Sequence, residues 1–290
     1  MYVIAGATGN TGGVVASALL EQGKSVTVLV RDAGKAESWR KRGAHVAVAG
    51  LDDAKALGAV LAKAEGAYLL LPPNYATQDL LATSFQVADT LAEAVKASGV
   101  GNVVFLSSIG AQHEGGTGPI RGLHHAEKVI SAVAKNVTFV RAAYFLQNWA
   151  PSLAGARADG VLHSFLTADR KIPMVSVVDI GKCAARYLVE PANGRRVVEL
   201  AGPEDYSPRD IAGVVGAAIG KAVKLETHPV EAAVPTLAAM GFPESTARLF
   251  AEMLGGINSG HVSYEGAGAK FERGSVTAEE AIRQMLGQQG

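Results

Sequence analysis

The first residues whose types and spacing suggest chemistry form a glycine-rich segment near the amino terminus. Gly6, Gly9 and Gly12 follow the spacing G-x-x-G-x-x-G, between a predicted strand at 2–5 and a predicted helix at 11–22. Such glycines allow a sharp turn, close approach of backbone amides to phosphate and tight helix–strand packing, and the helix N-terminus adds partial positive charge. The spacing departs from the commoner G-x-G-x-x-G. We predict binding of a dinucleotide pyrophosphate through Gly6, Thr8, Gly9, Asn10, Thr11 and Gly12.

The end of the second predicted strand, at 25–30, distinguishes between two cofactors. A cation at this point suits the 2′-phosphate of NADP, whereas an acid would bind the ribose 2′-hydroxyl of NAD. The strand is followed by Arg31, then Asp32 and Lys35. Because Asp32 is one residue further on, its side chain should point away from that of Arg31. The pattern favours NADP(H) over NAD(H), with Arg31 and Lys35 at the phosphate; an exposed charge pair is the alternative.

Polar and apolar residues at the ends of the next three predicted strands should line the same sheet edge. Asp52 follows the third strand, at 45–48, and either binds the adenine amino group or caps the next helix. Leu71 and Pro72 end the fourth strand, at 67–71, where the middle of the cofactor should pass. Ser107 ends the fifth strand, at 102–106, and either contacts the cofactor or hydrogen-bonds the loop backbone.

An aromatic run follows the sixth predicted strand, at 137–140, and should wall the nicotinamide end of the site. Its members could form an apolar pocket with a polar handle, which suits a planar ring. An aromatic run at helical spacing is equally typical of a protein core. The candidate substrate-binding residues are Tyr144, Phe145, Asn148 and Trp149, with Tyr144 also at the cofactor.

The elements that must position these residues alternate along the first 143 residues. Short β-branched runs are bounded by Gly, Pro or Asp, as is typical of strands buried on both faces of a parallel sheet. Helical patterns lie between them at 11–22, 33–42, 54–64, 77–98 and 123–135, and Gly23, Gly43, Gly66 and Gly99 follow four of them. The pattern predicts an α/β fold, a Rossmann-type doubly wound parallel sheet.

The strict alternation fades after residue 143. Helical patterns are found at 178–189, 207–219, 230–240 and 245–254, strand patterns at 196–200 and 223–227, and loops at 255–260 and 264–268. Ser207 with Pro208 begins one helix, and Thr277-x-x-Glu280 forms a capping box for the last. We predict a dinucleotide-binding domain at 1–143 and a smaller mixed α/β domain at 144–290, with some segments returning to the main sheet.

Composition excludes several classes of function. Lys plus Arg, 27, balance Asp plus Glu, 27, so nothing favours direct binding to nucleic acid. No apolar run is long enough to span a bilayer. The single cysteine, Cys183, fits a reducing compartment, so we expect a cytoplasmic protein. The histidines outside the sheet-edge candidates show no metal-ligand spacing, and no metal site is expected; they are His45, His113, His163, His228 and His261.

Several segments together resemble the NmrA-like proteins, atypical relatives of the short-chain dehydrogenases and reductases. They are VIAGATGNTG at 3–12, LVRD at 29–32, FLSSIGA at 105–111, HHAEK at 124–128, TFVR at 138–141 and YFxxN at 144–148. The family includes NADPH-dependent quinone reductases, redox-sensing regulators that bind dinucleotide without turnover, and relatives of plant phenylpropanoid reductases. The resemblance therefore implies the fold and an NADP(H) cofactor more than one reaction.

Dehydrogenase relatives use a Tyr-x-x-x-Lys pair, but none of the seven tyrosines has lysine four residues later. The nearest substitute is His124-x-x-x-Lys128, whose side chains share one helix face. We predict His124 and Lys128 as the catalytic pair, and the resemblance implies a ribose contact for Lys128; a solvated helix face is the alternative.

Two functions follow from this sequence. Quinone reduction needs less acid catalysis than ketone reduction, because the hydroquinone anion is a weak base. The sequence therefore predicts an NAD(P)H-dependent oxidoreductase whose small-molecule substrate is a quinone or similar planar electrophile. The absent tyrosine also allows a non-catalytic NADP(H) sensor acting through a regulatory protein partner, and a homodimer is compatible with either function.

Overall fold

The computed structural model describes residues 1–72 and 74–287, without the side chains of residues 33 and 35. The strands in this part of the chain are β1 (Tyr2–Ile4), β2 (Val26–Val30), β3 (His45–Val48), β4 (Gly66–Leu69), β5 (Asn102–Ser108), β6 (Val137–Ala142), β7 (Tyr144–Phe145), β8 (Val161–Ser164), β9 (Ile172–Val175), β10 (Arg195–Ala201), β11 (Asp205–Tyr206), β12 (Lys224–Thr227) and β13 (Lys270–Arg273).

Helices connect most of these strands. The α-helices are α1 (Asn10–Glu21), α2 (Glu37–Lys41), α3 (Ala54–Leu61), α4 (Leu80–Ser98), α5 (Ile120–Ser131), α6 (Ala150–Asp159), α7 (Val177–Val189), α8 (Pro208–Ile219), α9 (Ala233–Ala239), α10 (Glu244–Ser259) and α11 (Ala278–Gly287). Short 3₁₀ turns at Ala33–Ala36, Leu146–Trp149 and Val230–Ala232 lead into α2, α6 and α9.

Eight strands form one parallel sheet in the order β13-β10-β6-β5-β4-β1-β2-β3. Six of them repeat the order 3-2-1-4-5-6 of dinucleotide-binding sheets, in which the order of strands reverses between β1 and β4. Successive residues of β1 enter different cores: Ile4 packs with α1 and α7, and Val3 packs with α3 and α4. The predicted doubly wound α/β sheet is thus confirmed.

Local signals explain most element boundaries, and two predictions about glycine are wrong. Gly23, Gly43 and Gly99 have positive φ as expected, but Gly66 begins β4 instead of ending a helix. The predicted loop at 255–260 is helical through Ser259, because close packing outweighs the poor helix propensity of glycine. A Cβ at Gly256 would lie 2.8 Å from the carbonyl oxygen of Gly116, so only glycine fits there.

The chain after residue 143 contributes to more than one layer. β10 and β13 extend the main sheet and α7 packs against α1, whereas β11, β9 and β7 form a separate three-stranded sheet. β8 and β12 pair alone, as a two-stranded parallel ribbon. The division at residue 143 stays a prediction. None of the helices at 1–72 and 74–287 has the length and apolarity needed to cross a bilayer.

Candidate functional site

The glycine-rich segment forms a tight turn between β1 and α1. Gly6 has φ +64°, and its carbonyl oxygen accepts a hydrogen bond from the amide of Gly9 at 2.9 Å. A Cβ on Gly12 would lie 2.5 Å from the carbonyl oxygens of both Ala5 and Gly6, so a side chain there would push α1 away from the strand. The close approach of helix and strand expected from the sequence is therefore present.

The N-terminus of α1 differs from those of the helices that follow β3 and β4. Asp53 caps α3 and Asp79 caps α4, each through a carboxylate that accepts a backbone amide hydrogen bond at 2.9 Å. Gly9 occupies the corresponding position of α1 and offers no side-chain cap. The first-turn amides of α1 and its dipole are thus available to an anion, and no neighbouring carboxylate occupies the cap.

The polar residues of the turn divide into two groups. Thr8 and Asn10 are exposed. Thr11 is buried, and its hydroxyl accepts a hydrogen bond from the hydroxyl of Tyr68 on β4 at 2.9 Å. The hydroxyl of Thr11 is thus held against β4 as an acceptor, whereas the side chains of Thr8 and Asn10 face solvent.

Arg31 is exposed directly after β2, at the same edge of the sheet as the turn. The neighbouring Asp32 uses its carboxylate locally, accepting a hydrogen bond from the amide of Gly34 at 2.9 Å and capping the 3₁₀ turn. This leaves the guanidinium of Arg31 to meet a ligand. The side chain of Lys35 lies outside the described part of the structure.

The next two strand ends carry the other predicted cofactor contacts. Asp52 is exposed and does not cap α3, because Asp53 has that role, so the capping interpretation of Asp52 is wrong. Leu71 and Pro72 are half-buried beyond the end of β4. Leu70, the residue before Leu71, lies against the glycine turn, since a Cβ on Gly6 would be 2.9 Å from Cδ2 of Leu70. The loops after β1 and β4 are therefore in contact.

Ser107 belongs to a buried polar network that sequence reasoning missed. Its hydroxyl donates to Oε1 of Glu127 at 2.7 Å, and Glu127 is bound at both carboxylate oxygens by Arg141 at 2.7 and 2.8 Å. Arg141 also donates to Glu265 at 2.6 Å. The network joins β5, α5, β6 and the segment before β13 beneath the sheet edge. Because the Ser107 hydroxyl donates its hydrogen to Glu127, a cofactor contact by this hydroxyl would have to use its oxygen as the acceptor. Glu127 belongs to the HHAEK segment and Arg141 to the TFVR segment, but no spacing rule predicts that these two charged residues pair.

His124 is half-buried on α5 and fixed to the loop after β5. Its Nδ1 lies 2.8 Å from the carbonyl oxygen of Ala111. A carbonyl only accepts, so Nδ1 carries the hydrogen and Nε2 is left for another partner. Lys128 is exposed one turn further along. His125 instead lies 2.7 Å from Asp89 and packs on Phe85, on the α4 side.

The aromatic run after β6 has partly buried and fully buried members. Tyr144 and Phe145 are half-buried on β7, Asn148 is exposed, and Trp149 is 3% exposed. The rings of Tyr144 and Trp149 meet edge to face at 6.3 Å. Burial raises the pKa of Tyr144 to about 12, opposed by a hydrogen bond to Asn148. Trp149 is therefore core that supports Tyr144, as the core interpretation expected, whereas the pocket interpretation of Tyr144, Phe145 and Asn148 stays a prediction.

A second aromatic cluster, missed in the sequence, follows β4. Tyr75 stacks on Phe242 at 5.5 Å and meets the edge of Phe250 at 5.3 Å. The hydroxyls of Ser245 and Thr246 donate to backbone carbonyls of the same loop, at 2.6 and 3.2 Å. These contacts bring α9 and α10 beside the sheet edge. They join residues more than 160 positions apart, so no local pattern could reveal them.

His113, in the loop after β5, pairs with His261, which follows α10. The rings of His113 and His261 stack at 4.2 Å, and Nε2 of His261 lies 2.9 Å from the carbonyl oxygen of Gly115. Burial lowers the pKa of His113, and the neighbouring charge of His261 lowers it further. The neutral ring of His113 is thus favoured close to Arg141 and Glu265.

Comparisons with known proteins agree with this arrangement. The model of the NmrA-like family matches residues 2–270. The chain is 27% identical to the NAD(P)H azoreductase of Xenophilus azovorans over 87% of this chain and 86% of that protein. It is 25% identical to quinone oxidoreductase 2 of Escherichia coli strain K12 over 90% and 89% of the two chains. A crystal structure of the E. coli NADPH-dependent quinone oxidoreductase complexed with NADPH superposes with TM-score 0.83 at 23% identity, covering 99% of this chain and 100% of that one.

Proposed function

The chain belongs to the NmrA-like family, and from that premise we propose an NAD(P)H-dependent oxidoreductase that reduces quinones or similar planar electrophiles. The observation that carries the proposal is the N-terminus of α1, which has no side-chain cap and lies at the point where the strand order reverses. Backbone amides at such a point fit a dinucleotide pyrophosphate. The names of the azoreductase and quinone oxidoreductase relatives support the reaction class.

The residues at the sheet edge divide the work of holding the cofactor. The Gly6–Gly12 turn would bind the pyrophosphate, and Arg31 would pair with a 2′-phosphate, which favours NADP(H) over NAD(H). When bound, the reduced nicotinamide supplies the hydride. The other proposed contacts are Asp52 toward the adenine, Leu71 and Pro72 along the middle of the cofactor, and Lys128 and Tyr144 at the nicotinamide end.

His124 is the proposed source of the proton. Because Nδ1 is held by the Ala111 carbonyl, a protonated ring can release its proton only from Nε2. A hydroquinone anion is a weak base, so this step is not demanding, and solvent can partly replace the histidine. Lys128 lies one turn along the same helix face, where its charge would favour the anion.

Planar substrates would lie against the aromatic run after β6. Tyr144 and Phe145 keep part of their surface accessible, and the buried Trp149 holds Tyr144 in place. Asn148 is exposed and offers an amide to a carbonyl oxygen of the substrate. The faces of these aromatic rings would stack on the ring of a quinone and hold it in the site.

The direct test of the reaction is NADPH oxidation measured across a panel of benzoquinones and naphthoquinones. We expect turnover that depends on quinone and exceeds the rate without protein. NADPH binding without any quinone turnover would overturn the enzyme and support the alternative, a non-catalytic NADP(H) sensor acting through a regulatory protein partner.

Cofactor preference is tested by Arg31→Ala with Arg283→Ala as the matched control, since Arg283 is exposed on α11. Loss of a charge-assisted contact of about 1.5 kcal/mol predicts NADPH binding about tenfold weaker, with NADH binding unchanged. Equal affinities for NADPH and NADH in the unmodified protein would contradict the role of Arg31.

Location and assembly are further parts of the proposal. Cys183 is free and buried, and burial raises the pKa of its thiol to about 12, so we expect this thiol to be unreactive. A single unreactive cysteine fits the reducing cytoplasm that we propose as the location.

The oligomeric state is a separate question. Either a monomer or a homodimer is compatible with a sheet edge built from one chain. Light scattering during size-exclusion chromatography distinguishes the two.

A further inference from the structure

The exposed face of the β8–β12 ribbon brings together three side chains that are far apart in the sequence. His163 on β8 is the register partner of Glu226 on β12. His228 follows β12, and its amide donates to the carbonyl of Ser164 at 2.8 Å, so the pairing continues past the end of the strand. Alternate residues share a face of a strand, which places Glu226 and His228 on the same side. The nitrogen or oxygen atoms of the three side chains all lie within 4.8 Å of one another.

The spacing of these atoms fits metal ligands as well as the hydrogen bond that the two rings can form without an ion. Nδ1 of His163 lies 3.0 Å from Nε2 of His228. Zinc–nitrogen bonds of about 2.0–2.1 Å place two ligand nitrogens about 2.9–3.4 Å apart, depending on the angle between the bonds. The carboxylate of Glu226 adds the negative charge that two neutral imidazoles lack. Imidazole with carboxylate suits zinc, nickel or copper, whereas calcium and magnesium prefer oxygen ligands alone.

We propose that His163, Glu226 and His228 form a surface binding site for one divalent transition metal ion, of which Zn²⁺ is the representative. His163 and Glu226 are exposed and His228 is half-buried, so an ion can enter directly from solvent. Three protein ligands leave at least one coordination position for water or another small ligand. His228 also lines an adjoining groove of about 450 Å³ with Phe165 and Asn258, whereas His163 and Glu226 lie outside its lining.

The proposed site departs from the expectation of no metal site, which was drawn from the scattered spacing of the histidines. His163 and His228 are 65 residues apart, and only the parallel pairing of β8 with β12 joins them. An ion held by both strands would cross-link the exposed face of the ribbon, which is also held by its backbone hydrogen bonds and by Leu162 and Leu225 packed on the core. Binding to the folded chain alone would stabilise it by mass action.

The test is a zinc titration of tag-free protein in competition with a fluorescent chelator. We expect one Zn²⁺ per chain, with a loss of at least about tenfold in affinity for His163→Ala and for His228→Ala. Glu226→Gln should also weaken binding, because it removes the only charged ligand. Lys224 lies two residues before Glu226 on the same face, so Lys224→Gln should tighten binding slightly, by about twofold to fivefold.

The controls are His45→Ala, at another exposed strand histidine, and His113→Ala, at the other histidine pair. Both should bind zinc as the unmodified chain does. Circular dichroism and NADPH binding verify that every variant is folded, independently of any reductase activity. Zinc should also raise the thermal midpoint of the unmodified protein but not of His228→Ala. No zinc binding by the unmodified chain, or equal losses in His113→Ala and His228→Ala, would overturn the proposal.

Discussion

The carboxyl edge of the eight-stranded sheet and the face of the β8–β12 ribbon hold two candidate sites built in opposite ways. The edge offers backbone amides at the Gly6–Gly12 turn and side chains that directly follow single strands, together with His124 and Lys128 on α5. The ribbon offers only side chains, from strands about 60 residues apart in the sequence. The first kind of site is sensitive to added atoms, because backbone must approach the ligand. The second is sensitive to removed atoms, because each ligand is one side chain.

The two sites also differ in what supports them. Beneath the sheet edge, Glu127 and Arg141 form a buried ion pair that locks β6 to α5. The ribbon ligands are exposed or half-buried and are supported mainly by the pairing of two strands. The edge is thus preorganised for its ligand, whereas the ribbon would gain order from its ion.

Gly12→Ala should have the largest effect and should separate the two sites. The added Cβ would overlap two backbone carbonyl oxygens, at 2.5 Å, and displacing α1 costs about 1–3 kcal/mol. NADPH affinity, measured by fluorescence titration, should fall about 10- to 100-fold, while zinc binding at the ribbon is unchanged. Gly213→Ala is the control, because a Cβ on that exposed helix glycine meets no atom within 4 Å. Normal NADPH binding by Gly12→Ala would contradict the backbone-built site.

Glu127→Ala tests the support beneath the edge. Removing one partner of a buried pair leaves Arg141, which is 2% exposed, with only Glu265, and we expect the free energy of unfolding to fall by about 3 kcal/mol. Urea denaturation measures the loss. Glu93→Ala, at an exposed acid on α4, should change it by less than about 0.5 kcal/mol. In metal-free buffer, His163→Ala should change the free energy of unfolding as little as this control does. A loss in His163→Ala as large as that in Glu127→Ala would contradict the difference in support between the sheet edge and the ribbon.

His124→Gln tests whether His124 at the sheet edge donates a proton during quinone reduction, in addition to the binding of NADPH there. General acids typically contribute about 10²–10⁴-fold, but a weakly basic hydroquinone anion needs less help, so kcat for quinone reduction should fall about tenfold. The dissociation constant for NADPH should not change. His125→Gln is the neighbouring control, since that ring is paired with Asp89 instead. Equal losses of kcat in both variants would exclude His124 as the proton donor.

His113→Gln gives the smallest expected effect, on the pH dependence of stability. The folded-state pKa of His113 is lowered below its ordinary value of 6.5, first by burial and then by His261. The unfolded chain therefore binds protons more readily, and stability is lost as the pH falls below that ordinary value. His113→Gln should reduce this loss in urea unfolding between about pH 5 and pH 8. An unaltered slope in His113→Gln would contradict the inference.

The sheet was predictable because its signals are local. Buried β-branched runs, Gly and Asp at their ends, and capping residues specify β1 to β6 and the helices between them without reference to distant residues. Thr277 and Glu280 form the capping box that was predicted. Ser207 was predicted only to begin a helix, and in the structure it forms a capping box with Asp210. β7 and β11 escaped prediction because two residues carry no periodicity. β8, β9 and β13, of four residues each, were also not predicted.

The candidate site was predictable only where one residue follows one strand. Gly6, Gly12 and Arg31 could be named from position alone. Asp52 could not be separated from Asp53, because both precede the same helix and only the backbone geometry selects the cap. The hydroxyl of Ser107 looked available in the sequence, but in the fold it donates to Glu127.

The sequence by itself determined the strand–helix alternation, the glycine turn and the cation after β2, since each depends on neighbours within a few residues. Tertiary structure alone decided which charges are buried together and which histidines meet. Glu127 with Arg141 and His163 with His228 depend on how strands pair in space. The physical reason is that strand pairing and helix packing bring distant residues together through the burial of apolar side chains. The sequence spacing of the polar residues that meet in this way does not indicate that they will be neighbours.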